Sequence, residues 1–109
     1  MAFLKCVFSK GGFSGEAVFE VQPNGEKHVG VASRLHCWSE NGRRLVDVDL
    51  ENNRISGFIA VRIVDEDNDN NRVLVSMPDG EVIWVAKDKL IPPEAAPNVP
   101  VRPRLAVGN

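Results

Sequence analysis

The chain has 109 residues, of which 43% are hydrophobic and 26% are charged. This length fits one small domain with its own core, and the composition excludes a disordered chain. Thirteen lysine and arginine residues against fifteen acidic residues give a net charge of −2, which disfavours a dedicated nucleic-acid binder, a class that usually carries a basic excess.

The apolar runs are too short to cross a membrane, because the longest, Val82 to Ala86, falls far below the roughly 20 residues of a spanning helix. Lys5 interrupts the apolar N-terminal residues, and no cleavage site of small residues follows, so no secretory signal is predicted. We therefore expect a cytoplasmic protein without a membrane partner. In that compartment Cys6 and Cys37 are expected to be buried thiols, with a Cys6–Cys37 disulfide as the alternative.

Three turn sequences organise the chain, since Pro, Asn or Asp, and Gly supply the backbone angles of tight turns. They are Pro23-Asn24-Gly25, Asn41-Gly42 and Pro78-Asp79-Gly80. Between them, apolar residues alternate with polar ones, the period of a strand with one solvated face. This alternation is clearest at Val46, Val48 and Leu50, and again at Ile59, Val61 and Ile63.

The predicted strands cover residues 2–8, 16–22, 26–37, 44–50, 56–64, 72–77 and 81–87. No window of eleven or more residues has the apolar period of a helix, and Asp88-Lys89-Leu90 predicts only a single helical turn. The predicted fold class is therefore all-β, built from antiparallel strands and hairpins.

The composition changes after Ile91, because five of the seven prolines then follow within twelve residues. Proline fixes φ and donates no backbone hydrogen bond, so this stretch is predicted to be extended. We predict one domain over residues 1–91 and a flexible proline-rich tail over residues 92–109. Residues 97–102 fit the pattern PxxPxR, and the sequence leaves open whether the tail is a ligand or only a linker.

An acidic segment places Asp65, Asp67 and Asp69 at the alternate spacing of calcium loops. The sixth position is Asn70 rather than glycine, and the twelfth is Ser76 rather than a bidentate glutamate. The segment therefore predicts a solvated hairpin tip, with the three aspartates as weak metal candidates.

Other metal and catalytic chemistry is not predicted. The spacing of His28, His36, Cys6 and Cys37 matches no zinc site, and nothing orients a base against either thiol. We expect no cofactor and no enzymatic activity, because no acid–base constellation is present.

The candidate binding residues are aromatic or basic. Trp38 and Trp84 are the large anchors, although the apolar strand around Trp84 predicts a core or barrel-mouth position for it. Phe13, in the glycine-rich segment 11–16, is a possible contact residue. Arg43 and Arg44, after the Asn41-Gly42 turn, are candidates for phosphate contacts.

Arg34 and Arg54 complete the possible set of phosphate contacts. Nearby carboxylates oppose this set, and we expect their charge to cancel the field of the arginines. They are Glu40, Asp47, Asp49 and Glu51.

Four consecutive parts of the chain share one pattern: residues 57–64, the acidic segment, residues 72–86 and the turn at 88–90. Together they resemble the SH3-like barrel superfamily, which includes Tudor and KOW-type modules. In that superfamily a strand leads through a variable loop to a hairpin with an Asp-Gly turn and then one 3₁₀ turn. The resemblance implies a small barrel that binds another protein. The alternatives are a nucleic-acid-associated module of KOW or OB type and a calcium-stabilised structural domain. No oligomeric state is predicted.

Overall fold

A computed structural model describes residues 2–22, 25–47, 50 and 54–92. Eight antiparallel strands lie in this part of the chain. They are β1 (Ala2–Lys10), β2 (Glu16–Val21), β3 (His28–Ser33), β4 (Cys37–Ser39), β5 (Ile55–Asp67), β6 (Arg72–Ser76), β7 (Val82–Ala86) and β8 (Leu90–Ile91). The only helical elements there are three 3₁₀ turns, at Arg34–His36, Leu45–Asp47 and Lys87–Lys89. None of them is long and apolar enough to span a bilayer.

The strands form one antiparallel sheet in the order β3-β2-β1-β5-β6-β7, while β4 also pairs with β5 and β8 with β1. This sheet curls into a half-barrel. Because the described residues form strands and only 3₁₀ turns, the all-β prediction is confirmed. The centre is β1, which pairs with β5 over most of its length, with β2 near its end and with β8 near its start. One central strand thus holds together segments that are distant in sequence.

The inner face of the sheet carries the main core. Its largest fully buried side chains include Phe8, Phe19, Ile59, Val73, Val75 and Val85. Alternate residues of β1 and β5 point to the outer face, where Phe3, Trp38 and Phe58 form a second buried cluster. The rings of Phe3 and Trp38 meet edge to face, with 5.4 Å between their centroids.

The β6–β7 turn contacts edge strand β3 through side chains. Asp79 Oδ2 lies 3.6 Å from His28 Nε2, which has no hydrogen-bond partner among the described residues. A Cβ on Gly30 would overlap the Asp79 carboxylate and lie 2.6 Å from Phe19 Cζ. Glycine at this position lets the turn approach β3 closely.

Two predicted strands are wrong in part. The segment 26–37 breaks because the Ser33 hydroxyl accepts a hydrogen bond from Leu35 N (3.2 Å), which starts a 3₁₀ turn before β4. In the segment 44–50, Arg44 forms only an isolated bridge to Trp38, and a 3₁₀ turn follows. Leu45 is buried and Val46 is exposed there, the reverse of the predicted alternation. Residues 48 and 49 lie outside the described part.

The fifth predicted strand, 56–64, is longer than expected. β5 continues to Asp67 through a bulge between Ile63 and Asp65, and Ile63 is exposed instead of buried. The 3₁₀ turn at Lys87–Lys89 agrees closely with the prediction, whereas β8, with only two residues, was not predicted.

The turns at Asn41-Gly42 and Pro78-Asp79-Gly80 have the predicted form. Gly42 and Gly80 adopt positive φ, and their N–H groups donate to Ser39 O (3.0 Å) and Met77 O (2.9 Å). Pro23, Asn24 and residues 93–109, which include nearly all of the predicted tail, lie outside the described residues.

Candidate functional site

Exposed apolar side chains follow the β3 edge of the sheet. Phe13 is 76% exposed, and Val29, Val31 and Leu35 are 44–55% exposed. We call these four residues the apolar edge. Exposed large side chains of this kind, close together, are typical of interaction surfaces.

Backbone hydrogen bonds hold the loop of Phe13 against the end of β3. Glu16 N donates to Phe13 O (3.0 Å), and Arg34 N donates to Gly15 O (3.0 Å). The two bonds fix the glycine-rich β1–β2 loop beside the 3₁₀ turn that carries Leu35. The exposed position of Phe13 is therefore built by defined contacts of its loop.

β3 pairs with β2 on one side and, within the described residues, with no strand on the other. Its sequence, His-Val-Gly-Val-Ala-Ser, contains no lysine, acidic residue or proline. Natural edge strands usually carry such residues or a bulge to prevent pairing with another chain. The sequence of β3 lacks those protections, while Asp79 of the β6–β7 turn lies against the strand at His28 and Gly30.

A groove of about 690 Å³ lies next to the apolar edge. Six charged residues line it, four of them cations: Lys5, Lys27, Arg54, Lys89, Glu20 and Asp88. We call this the basic groove. The two surfaces adjoin, because Glu20 of the groove is the β2 register partner of Val29 on β3.

One carboxylate in the basic groove serves two cations. Arg54 Nη2 donates to Glu20 Oε2 (2.6 Å), and Lys27 Nζ lies 3.4 Å from Glu20 Oε1. Lys5 Nζ lies 3.6 Å from Glu40, and Lys89 makes no ion pair with another described residue. The groove therefore keeps an excess of positive charge.

The tryptophans do not form an exposed binding platform. Trp38 is buried in the outer-face cluster, with the Arg44 guanidinium 5.4 Å from its ring centroid. Trp84 is half-buried, lies outside both core clusters and has the Arg72 guanidinium 4.3 Å from its ring centroid. Of the two predicted positions for Trp84, the core is excluded, because β7 presents the ring on the face opposite Val85, and the barrel mouth stays a prediction.

The arginines proposed for phosphate contacts have different partners. Arg34 Nε donates to Glu16 O (2.9 Å), Arg44 covers Trp38, and Arg54 pairs with Glu20. Arg43 stays close to Arg44 in sequence, and its carbonyl accepts from Ser39 N (2.8 Å). Arg43 also lines a pocket with Ile55 and Ser56, which follow Arg54 in the sequence.

The acidic segment uses its carboxylates within the β5–β6 hairpin. Asp67 Oδ2 accepts from Asn70 Nδ2 (2.8 Å) and Arg72 Nε (3.0 Å), and these hydrogen bonds lower the pKa of Asp67. Asp65 Oδ1 accepts from Glu66 N (2.8 Å). In the described part of the chain, no group of three or more histidine, cysteine or acidic residues is arranged to hold a metal.

Cys6 and Cys37 are free and buried, as predicted. Their Sγ atoms face the carbonyl oxygens of Gly57 (3.8 Å) and Ser33 (3.5 Å). Burial raises the pKa of Cys37 to about 12, and burial together with the neighbouring Cys37 raises the pKa of Cys6 further. Neither group is a thiolate at neutral pH, so neither is an activated nucleophile.

The chain matches no protein-family model, no curated protein and no solved structure in the comparisons with each.

Among the residues of the apolar edge and the basic groove, the sequence analysis named Phe13 and Arg54 as candidate contacts and none of the others. Val29 and Val31 are visible as alternate residues of a strand, yet nothing local shows that this strand is an edge. The groove cations Lys5, Lys27 and Lys89 are distant in sequence and meet only through the pairing of β1 with β2 and β8.

Proposed function

We propose that this chain is a non-enzymatic SH3-like interaction domain that binds an extended segment of another protein along the apolar edge. The observation that carries the proposal is the open β3 edge flanked by exposed apolar side chains. The half-barrel curl and the successive β5, β6 and β7 hairpins support the SH3-like part of the proposal.

An added strand suits this edge for two reasons. The outward backbone groups of β3 would hydrogen-bond to an extended peptide, as in other cases of strand addition. Val29 and Val31 would then contact alternate side chains of that peptide, and Phe13 would cover its end. Burying a phenylalanine and two valines contributes about 1.5–3 kcal/mol for each side chain that is fully covered.

Charge favours a different protein over a second copy of this chain. A symmetric β3–β3 contact would make one continuous sheet and bring two basic grooves onto it. Like charges on one surface disfavour such pairing. A partner segment of opposite charge is free of this repulsion.

The test is a selection of extended peptides from a random library on the full chain, followed by affinity measurements on variants. We expect the selected peptides to lose at least about tenfold in affinity on Val31→Lys and on Phe13→Ser. Val82→Lys is the matched control, since Val82 is half exposed on β7, at the far end of the strand order. Amide hydrogen exchange should show new protection in β3.

Unchanged affinity in both edge variants, or protection confined to β7, would overturn the proposal. A concentration-dependent dimer that Val31→Lys dissociates would assign the edge to a second copy instead. Both results are read from the same proteins by adding sedimentation measurements.

A further inference from the structure

We infer that the basic groove selects acidic side chains on the segment bound at the apolar edge, so that the partner is an acidic extended peptide. This inference rests on the proposed function and adds the chemistry of the partner. It comes from a different observation, the charges of the groove rather than the apolar side chains of β3.

The position of the groove suits a segment that already lies on β3. Glu20 belongs to the groove and pairs in register with Val29, so the groove begins one strand inward from the edge, across β3 from an added peptide. Side chains on one face of a strand repeat every second residue. One face of the bound peptide therefore contacts the valines, while longer side chains reach toward Lys27.

The charge of the groove remains positive after its internal pairs are counted. Glu20 is shared by Lys27 and Arg54, and Asp88 is the other carboxylate, so four cations line the groove with two carboxylates. Lys89 has no ion-pair partner among the described residues, and Lys5 lies at the same groove with a long, exposed contact to Glu40. Carboxylates of a bound peptide would complete these pairs.

A peptide fits this surface better than a nucleic acid does. Single strands of nucleic acid bind through bases stacked on exposed aromatic rings, whereas Phe3, Trp38 and Phe58 on this face are buried. Glu20 also lies between two of the cations and would repel a continuous row of phosphates. On the apolar edge Phe13 is exposed and aromatic, while the other three side chains are aliphatic and suit peptide side chains.

The experiment compares two labelled peptides of about twelve residues, one a repeat of Val-Glu-Thr-Glu and the other of Val-Gln-Thr-Gln. Anisotropy is measured with the full chain at about 0.15 M salt. We expect the glutamate peptide to bind about tenfold more tightly, and this preference to disappear at high salt. The double variant Lys27→Glu, Lys89→Glu should abolish it.

Arg62→Glu is the matched control, because Arg62 is exposed on β5, lies outside the basic groove and undergoes the same change of charge. It should keep the preference for the glutamate peptide.

The outcomes separate the two proposals. Equal affinities for the two peptides, both lost on Val31→Lys, would overturn the acidic selection and leave the edge proposal intact. Full affinity of the glutamate peptide for Val31→Lys would overturn the edge proposal and leave the groove as its site. Tighter binding of a single-stranded oligonucleotide than of the glutamate peptide would overturn the assignment of a peptide partner.

Discussion

The thiols of Cys6 and Cys37 couple the protonation of two residues to folding. Burial raises the pKa of Cys37 to about 12 and raises that of Cys6 further, while an unfolded thiol titrates near 8.5. The unfolded chain therefore releases these protons at lower pH than the folded chain. The thiols contribute their full stability below about pH 8, and this contribution falls as the pH rises toward 12.

We expect the free energy of unfolding to decrease above about pH 9, by up to roughly 1.4 kcal/mol per pH unit for each thiol. Denaturant titrations across this range measure it, and the variant Cys6→Ala, Cys37→Ala should lose that part of the slope. The chain has no tyrosine, so thiolate absorbance can be followed without tyrosinate. Rapid labelling of the native thiols at about pH 8 would contradict the prediction.

Trp84 contributes to stability through its contact with Arg72. Because it is half-buried and outside both core clusters, Trp84→Ala should cost about 1–2 kcal/mol, below the 3–5 kcal/mol of a core tryptophan. A double-mutant cycle with Arg72→Ala should give a coupling of about 0.5–1 kcal/mol. Thermal unfolding measures both values, and zero coupling would show that the ring contributes by burial alone.

At the scale of elements, one glycine permits the contact between β4 and β5. A Cβ on Gly57 would overlap the carbonyl oxygen of Trp38 and lie 3.0 Å from the Phe8 ring. Backbone cannot move aside as a flexible side chain does, so Gly57→Ala should separate β4 from β5 and cost about 3 kcal/mol.

Gly12→Ala is the control for this prediction, since nothing lies within 4 Å of a Cβ at that position. It should change stability by less than about 0.5 kcal/mol in the same denaturant titration. Equal stabilities of the two variants would mean that the β4–β5 contact adjusts freely.

The sequence predicted elements best where alternation and turn chemistry agreed. β6 and β7 flank the Pro78-Asp79-Gly80 turn, and valines that face the core define both strands. Alternation failed at Val46. The pattern there consists of only three apolar residues, Val46, Val48 and Leu50, which are too few to distinguish a strand from a 3₁₀ turn. Ser33 did carry a signal that was missed, because serine is a common residue at the start of helical turns.

The candidate site was harder to predict than the fold, since it depends on which strands are neighbours. The cation Lys89 reaches the groove only because β8 pairs with β1 at Phe3 and Leu4. A two-residue strand has almost no sequence signature, and its pairing is a property of the folded sheet. Phe13 was found because an aromatic residue among glycines is unusual within a short segment.

At the scale of the whole molecule, the net charge of −2 hides a separation of charge. Acidic residues concentrate on the β5–β6 hairpin, from Asp65 to Asp69, while four cations and two carboxylates line the basic groove. The sum over the chain does not describe either surface. Local fields of this kind steer a charged partner toward one side of a protein of nearly balanced charge.

The extent of the folded domain is also a property of the whole molecule, and we expect it to depend on β8. Leu90 packs against the main core and Ile91 against the outer-face cluster, and both pair with β1. A chain that ends at Lys89 loses these contacts, which should cost about 2–3 kcal/mol and lower Tm by roughly 10–20 °C. A chain that ends at Ile91 keeps them and should melt within about 2 °C of the full chain. Calorimetry of the three proteins decides this, and a large loss in both truncated chains would show that residues after Ile91 cover Phe3, Trp38 and Phe58.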